Sequence, residues 1–290
     1  MNTQKSFDKL QPFGTLFLVP TPIGNLQDMT FRAIDTLKDV DFIASEDTRN
    51  TQKLLNHFEI SKKQISFHEH NYKERIPQFL RDLKNGLSIA QVSDAGMPSI
   101  SDPGHELVLA AIEENIAVVS LPGASAGVTA LISSGISPQP FAFYGFLPRK
   151  KKEQIAFLDE LKEQRESQIF YESPYRIKDT IETLGEVYGF ERKVTIAREL
   201  TKLHEEYLRG TIDEIHTYLQ ETTLKGEICF IVEGFSGEKT QKDESWQDLG
   251  VVEHVQLLID NGFKSKDAIK EVSLLRGIKK QEVYRQFHIE

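Results

Sequence analysis

The sequence predicts an α/β protein, and three Gly- and Pro-rich loops carry that expectation. Residues 19–28, 93–104 and 122–127 each follow a short apolar run, at 16–19, 89–92 and 118–121. The first two loops lead into amphipathic helical patterns. Strand, Gly/Pro loop and helix, repeated in this way, set several strand ends along one sheet edge, where open α/β proteins bind ligands. Any one such loop is ordinary turn punctuation. Three at equivalent strand ends favour a shared small-molecule cleft.

The elements follow in order. After a polar tail at residues 1–13, the run at 16–19 is the first strand. Phe31, Ile34, Leu37 and Val40 then recur at helical spacing, with Asp28 or Thr30 as the cap. Residues 41–44 form a second strand, and Leu54, Leu55 and Phe58 mark the inward side of the helix after it. A third strand at 64–67 leads to a helix through Ile76, Phe79, Leu80 and Leu83, closed by Gly86. The strand at 89–92, a helix through Leu107, Val108 and Ala111, and the strand from Val118 complete a first domain over 14–123.

A second α/β domain is expected over 124–235. Its strands are 141–144, 168–171, 194–197 and 228–232. Its helices are marked by Ile155, Leu158 and Leu161, by Ile177, Ile181 and Leu184, and by Ile212, Ile215 and Leu219. Residues 198–210 alternate too weakly to assign. Residues 236–245 contain no apolar side chain and read as a linker. Residues 246–290 carry three helical patterns separated by Gly262 and Gly277, a helical appendage with helix-turn-helix spacing.

Composition narrows the function. A chain of 290 residues suits one large domain or two ordinary ones. The N-terminus has no apolar stretch for a signal peptide or membrane span, which points to the cytoplasm. Cys229, the single cysteine, sits in an apolar run and reads as a buried strand residue; disulfides and thiolate metal clusters are excluded. A net charge of −9 argues against binding nucleic acid through overall charge, because phosphate contacts need Lys and Arg. Two local basic stretches stand against it. One is Arg149, Lys150, Lys151 and Lys152; the other runs from Lys264 to Arg285, with seven basic residues to three acidic, and includes Lys266, Lys279 and Lys280. Either alone is equally well read as a solvated helix face.

Titratable side chains cluster just after the strands, where general acid–base sites are built. Glu46, Asp47, Thr48 and Arg49 follow the second strand, His68 and Asn71 the third, and Asp94 the fourth. For Asp47 and Thr48 the simpler reading is a helix cap. Glu46, at the end of a buried strand, is the better candidate base, its plain alternative being an ion pair with Arg49. His68 and His70 lack a third ligand pattern, so no metal site is expected. Neither a G-x-x-x-x-G-K-S/T loop nor a G-x-G-x-x-G fingerprint is present, which leaves ATP and ordinary dinucleotide sites unsupported.

Seven segments stand in an order that resembles a known family: Pro20-Thr-Pro-Ile-Gly-Asn-Leu26, Glu46-Asp-Thr-Arg49, Ser93-Asp-Ala-Gly-Met-Pro98, Ser101-Asp-Pro-Gly104, Gly145-Phe-Leu-Pro148, Tyr171-Glu-Ser-Pro174 and Arg198-Glu-Leu-Thr-Lys202. They are similar to the bacterial small-subunit rRNA cytidine 2′-O-ribose methyltransferases of the tetrapyrrole-methylase superfamily. The resemblance implies two α/β domains of the class III methyltransferase type, with S-adenosylmethionine in the cleft between them, usually in a homodimer. It implies cofactor contacts at Ala95, Gly96, Met97, Ile100, Ser125 and Ala126, together with Glu172 and Leu200. The acceptor it implies is a cytidine in the decoding region of 16S rRNA, within the 30S subunit. The first loop departs from the G-x-G-P-G of the tetrapyrrole enzymes, which fits a different acceptor.

A ribose hydroxyl is a weak acid, so a base that takes its proton during attack assists methyl transfer. Glu46 is the expected base, with Arg49, His68 or Lys202 orienting the ribose or offsetting charge. The two basic stretches are the expected phosphate contacts, and Tyr175 or Phe146 a platform for a splayed base. Two rival functions remain open: methylation of a tetrapyrrole or a protein side chain on the same fold, and a non-catalytic S-adenosylmethionine sensor that binds nucleic acid.

Overall fold

The computed structural model describes residues 1, 3–6, 12–100, 102, 104–237 and 249–289. The chain divides into two compact units, Met1–Ser236 and Gly237–Glu290. The first unit holds two sheets. In the first sheet, β1 (Thr15–Leu18), β2 (Phe42–Ser45), β3 (Gln64–Ser66), β4 (Ile89–Val92) and β5 (Ala117–Ser120) run parallel in the order β3-β2-β4-β1-β5. Alternate strand residues face opposite sides, as the pleat requires. Ile43, Ala90 and Val92 pack with Ala33 and Leu37 of α1 (Phe31–Asp39) and Leu55 of α2 (Thr48–His57). Phe42, Ala44 and Ile89 pack on the other side with Phe79 and Leu83 of α3 (Tyr72–Lys84) and Leu107 and Ala111 of α4 (Gly104–Glu113). Thr30 caps α1 by accepting the Ala33 N–H, and Asp47 caps α2 by accepting that of Arg49, the cap expected of it.

Strand order decides where a ligand can sit. From β1 the chain steps outward to β2 and β3, then returns to β4 and crosses to β5 beyond β1. Right-handed crossovers in opposite directions put the helices on opposite faces. The strand order therefore reverses between neighbours β4 and β1, which opens a crevice at their carboxyl ends.

The second sheet contains β6 (Phe141–Phe146), β7 (Ser167–Glu172), β8 (Lys193–Arg198), β9 (Glu206–Thr211) and β10 (Ile228–Val232), in the order β6-β7-β10-β8-β9. Only β6 and β7 pair in parallel; the other pairs are antiparallel. Ala130 and Leu131 of α5 (Ala126–Ser134) pack against Ile169, Ala197, Cys229 and Ile231. The opposite face is covered by α6 (Lys151–Leu161), α7 (Ile177–Tyr188) and α8 (Ile212–Glu221) over Phe170, Ile196 and Phe230. β9 lies in the segment whose sequence alternates too weakly to assign. It is an edge strand, only partly buried, so its Glu, Arg and Gly need not follow a core pattern. β6 extends two residues past its expected end, across a register shift between Phe143 and Gly145.

The second unit packs α9 (Val251–Asp260), α10 (Ser265–Arg276) and α11 (Lys280–Ile289) around Val255, Ala268, Ile269, Val272 and Val283. The expected linker at 236–245 lies outside the described residues from 238 onward. Among the described residues no helix is long and apolar enough to cross a membrane.

Candidate active site

The loops that leave β1 and β4 are tied together over the crevice. Thr21 N–H donates to the Gly96 carbonyl and Gly96 N–H to the Thr21 carbonyl, both at 3.0 Å. Gly96 sits at φ +80, a left-handed conformation in which a side chain is strained, and this turn lets the loop fold back on its neighbour. The rest of the loop is pinned by Asp102, whose carboxylate accepts the Ser99 N–H at 2.9 Å and the Gly104 N–H at 2.8 Å. Burial raises the Asp102 pKa against those bonds. Ser101 and Pro103, part of the same motif, lie outside the described residues.

A cleft of about 440 Å3 opens above these loops, and the second sheet forms its other wall. The eight residues expected at a cofactor all line it: Ala95, Gly96, Met97 and Ile100 from the β4 loop, Ser125 and Ala126 at the start of α5, and Glu172 and Leu200 opposite. Glu46 lines it as well, one residue beyond the end of β2. Its Oε2 accepts the Asp94 N–H at 3.1 Å. Burial raises the Glu46 pKa above its ordinary value, and the Asp94 and Asp102 carboxylates add to the rise against that hydrogen bond. A carboxyl raised in this way is a stronger base once ionised.

Glu172 contributes differently. It is buried, with Oε1 accepting the Ser173 N–H and Oε2 the Thr180 hydroxyl, both at 2.8 Å. Its carboxylate shapes the wall from inside. Leu200 stands between Glu199 and Thr201, which hold φ of 52 and 67; two left-handed non-glycine residues flanking one position are a strained feature of the sort found at functional sites.

The other three candidate catalytic residues do not line this cleft. Arg49 pairs with Asp47 at 2.7 Å, its side chain 86% exposed, so the ion pair considered for Glu46 is formed by Asp47 instead. His68 follows β3, the edge strand of its sheet, and its Nδ1 accepts the His70 N–H at 3.2 Å. Lys202 Nζ bridges Glu199 at 2.8 Å and the cleft-lining Glu227 at 2.9 Å. It also lies against the first loop: a Cβ added at Gly24 would come within 2.5 Å of Lys202 Cγ.

Several cleft residues went unrecognised in the sequence: Ile23, Ala197, Ile228 and Cys229 supply apolar wall, and Tyr171 meets the ring of Phe146, the expected base platform, edge-on at 5.7 Å. Ile23 comes from the Gly/Pro loop after β1, whereas only strand-to-strand register brings Ala197, Ile228 and Cys229 to the cleft, and nothing local marks those three. The Cys229 thiol, as expected, is buried, and burial pushes its pKa up to about 12, so it is an apolar surface rather than a nucleophile.

The basic stretches are exposed. Arg149 to Lys152 lie at the start of α6, where Lys150 pairs with Glu153 at 2.9 Å and Lys151 with Glu186 at 3.0 Å. Lys264, Lys266, Lys279 and Lys280 are exposed on the second unit. Tyr175 is 93% exposed and Phe146 61%.

Comparison with known proteins places this geometry in a family. The tetrapyrrole (corrin/porphyrin) methylases match residues 15–216. A ribosomal RNA small subunit methyltransferase I of Streptococcus pyogenes serotype M1 is 58% identical over 288 residues, covering 99% of both chains. The Bacillus subtilis (strain 168) protein of the same name is 49% identical over 290 residues, covering 100% of this chain and 99% of its own. Among solved structures, uroporphyrin-III C-methyltransferase from Thermus thermophilus, complexed with S-adenosylhomocysteine, superimposes with a TM-score of 0.54 at 14% identity. It covers 76% of this chain and 97% of its own.

Proposed function

The chain belongs to the tetrapyrrole methylase family, among its ribosomal RNA small subunit methyltransferases I, and from that premise we propose that it methylates the ribose 2′-oxygen of a cytidine in the decoding region of 16S rRNA. The observation that carries this is the cleft at the β4–β1 switch point, with Glu46 at its mouth. Its residues suit S-adenosylmethionine. Ala197, Leu200, Ile228 and Cys229 offer an apolar wall for a flat adenine ring, and Ala95, Gly96, Ser125 and Ala126 are small enough to let backbone approach it. Acidic side chains on the other wall suit a sulfonium cation.

When bound, that cofactor supplies the electrophilic methyl carbon. The chain's own residues do the rest. The β4 loop and the start of α5 orient the reactants, which converts a collision into an aligned displacement. Glu46 takes the ribose proton as the oxygen attacks, and its raised pKa matches it better to a weakly acidic hydroxyl. Lys202, held by Glu199 and Glu227 against the first loop, positions the acceptor side. No Arg or Lys is among the described residues that line the cleft, which disfavours a tetrapyrrole rich in carboxylates. Basic residues elsewhere hold the RNA backbone: Arg149 to Lys152 on the first unit, and Lys264, Lys266, Lys279 and Lys280 on the second. A homodimer belongs to the same proposal, supported by Val128 and Ile132, exposed four residues apart on α5.

The test uses 30S subunits from a strain lacking the modification and S-adenosylmethionine labelled in its methyl group. Label mapped to one ribose 2′-oxygen of a decoding-region cytidine is the expected result. Label on a base, on protein or nowhere would overturn it.

A further inference from the structure

A second hollow, of about 230 Å3, adjoins the cleft between α2 and the loop after β1. The two cavities share Ser93 and Asp94. The sharing is chemically useful. The Asp94 backbone N–H holds Glu46, while the Asp94 carboxylate reaches Asn50, which lines the hollow. A nucleoside whose 2′-hydroxyl meets Glu46 therefore carries its base, only a few bonds away, toward this hollow.

The lining suits a single pyrimidine. Pro22, Leu26 and Leu54 supply apolar contact for a flat ring. At the polar side, Asp94 Oδ1 accepts the Asp47 N–H at 3.1 Å and Oδ2 accepts Asn50 Nδ2 at 3.2 Å. Each carboxylate oxygen has room for one more donor. Lys53 is exposed on the same hollow and adds an ammonium with three N–H donors.

We propose that this hollow is the acceptor-base subsite and that Asp94 and Lys53 read cytosine in it. The proposal rests on the methyl-transfer function above. Cytosine offers an amine at N4 and acceptors at N3 and O2. The Asp94 carboxylate accepts from N4, and Lys53 donates to the ring acceptors. Uracil would turn its O4 carbonyl toward the carboxylate, oxygen against oxygen. A carboxylate that accepts from cytosine N4 is an established mode of base readout, and single-stranded RNA is read in this way on splayed Watson–Crick edges. The carboxylate has a second use in the same place, since its residue also anchors the base Glu46. Recognition of the nucleotide and placement of the proton acceptor are thereby joined through one residue.

The experiment compares 30S subunits that carry cytidine or uridine at the labelled position, in single turnover with enzyme in excess. The wild type should favour cytidine by roughly ten- to a hundredfold, the discrimination one good base contact gives. Asp94→Asn and Lys53→Ala should both lower that ratio toward one; Lys53 lines the hollow and not the cofactor cleft, so its variant should do so with S-adenosylmethionine affinity by calorimetry unchanged. Lys53 is exposed, so its variant reports on the subsite even where Asp94→Asn disturbs the loop. Equal wild-type rates on the two subunits, or a ratio unmoved in both variants, would overturn the subsite and leave methyl transfer standing. A wild type that labels neither subunit would overturn the transfer function itself.

Discussion

Glu46 carries the sharpest consequence at the scale of single residues. Its carboxyl is raised above the ordinary 4.5, mainly by burial. A group that binds its proton more tightly folded than unfolded penalises folding above its folded pKa, and the penalty is relieved as pH falls through that value toward the unfolded one. Catalysis runs the other way, because only the ionised form accepts a proton. Single-turnover methylation should therefore fall on the acid side along a limb centred above 4.5. Glu46→Gln keeps an oxygen for the Asp94 N–H, so the loop should hold. It should slow transfer by roughly a hundredfold or more and abolish that limb, with cofactor affinity nearly intact. Near-normal turnover in this variant would remove Glu46 from the mechanism, and Lys202 would be tested next. Asp47, next in sequence, shows why adjacency is a poor guide to role. Hydrogen bonds from Arg49 pull it down to about 2, which leaves it an ionised helix cap at any working pH.

Loops and strands decide how much of the site could be read in advance. Every residue expected at the cofactor came from a loop after β4 or β5, or from the β7 and β8 ends, and all of them line one cleft. Gly and Pro mark the β4 and β5 loops locally whatever the strand order, while the individual residues, Glu172 and Leu200 included, follow from the resemblance of their motifs to the family. His68 is a catalytic candidate because it is a titratable group just after a strand, as Glu46 is, yet strand order sets β3 at the sheet edge, with β2 between it and the crevice. That order depends on pairings between distant segments and leaves no local trace. The β10 wall was illegible for a related reason: Ile228 and Cys229 lie in a fully buried strand, where every residue is apolar and none points to a ligand. The loop elements still allow a direct check. Ala126 is the first residue of α5 and only partly buried at the cleft, so Ala126→Trp should fill the space without breaking the core. Calorimetry should show at least a tenfold loss of S-adenosylmethionine affinity, if about 1.4 kcal/mol of contact is displaced, beside an unchanged melting curve. Undiminished affinity would move the cofactor out of this cleft.

The whole chain must bring an acidic protein, net −9, to a polyanion. The proposed function divides that task between its two units. The first unit has cores of its own on both faces of both sheets and contains the entire cleft. The second packs around a separate core and carries the stretch with seven basic residues to three acidic. Each phosphate contact releases counterions, so every Lys or Arg engaged steepens the fall of affinity with salt. Removing residues 237–290 should accordingly leave calorimetric S-adenosylmethionine binding near normal. It should also weaken binding to 30S subunits and make the plot of log affinity against log salt shallower, by about one slope unit for each lost contact. The slope matters more than the affinity. A truncation that weakened binding with the slope unchanged would mean the second unit contributes shape rather than charge. A truncation that lost the cofactor would place the helices in the catalytic core or its dimer. Basic residues left at the start of α6, where two of the four already face Glu153 and Glu186, should then set whatever salt slope the truncated chain retains.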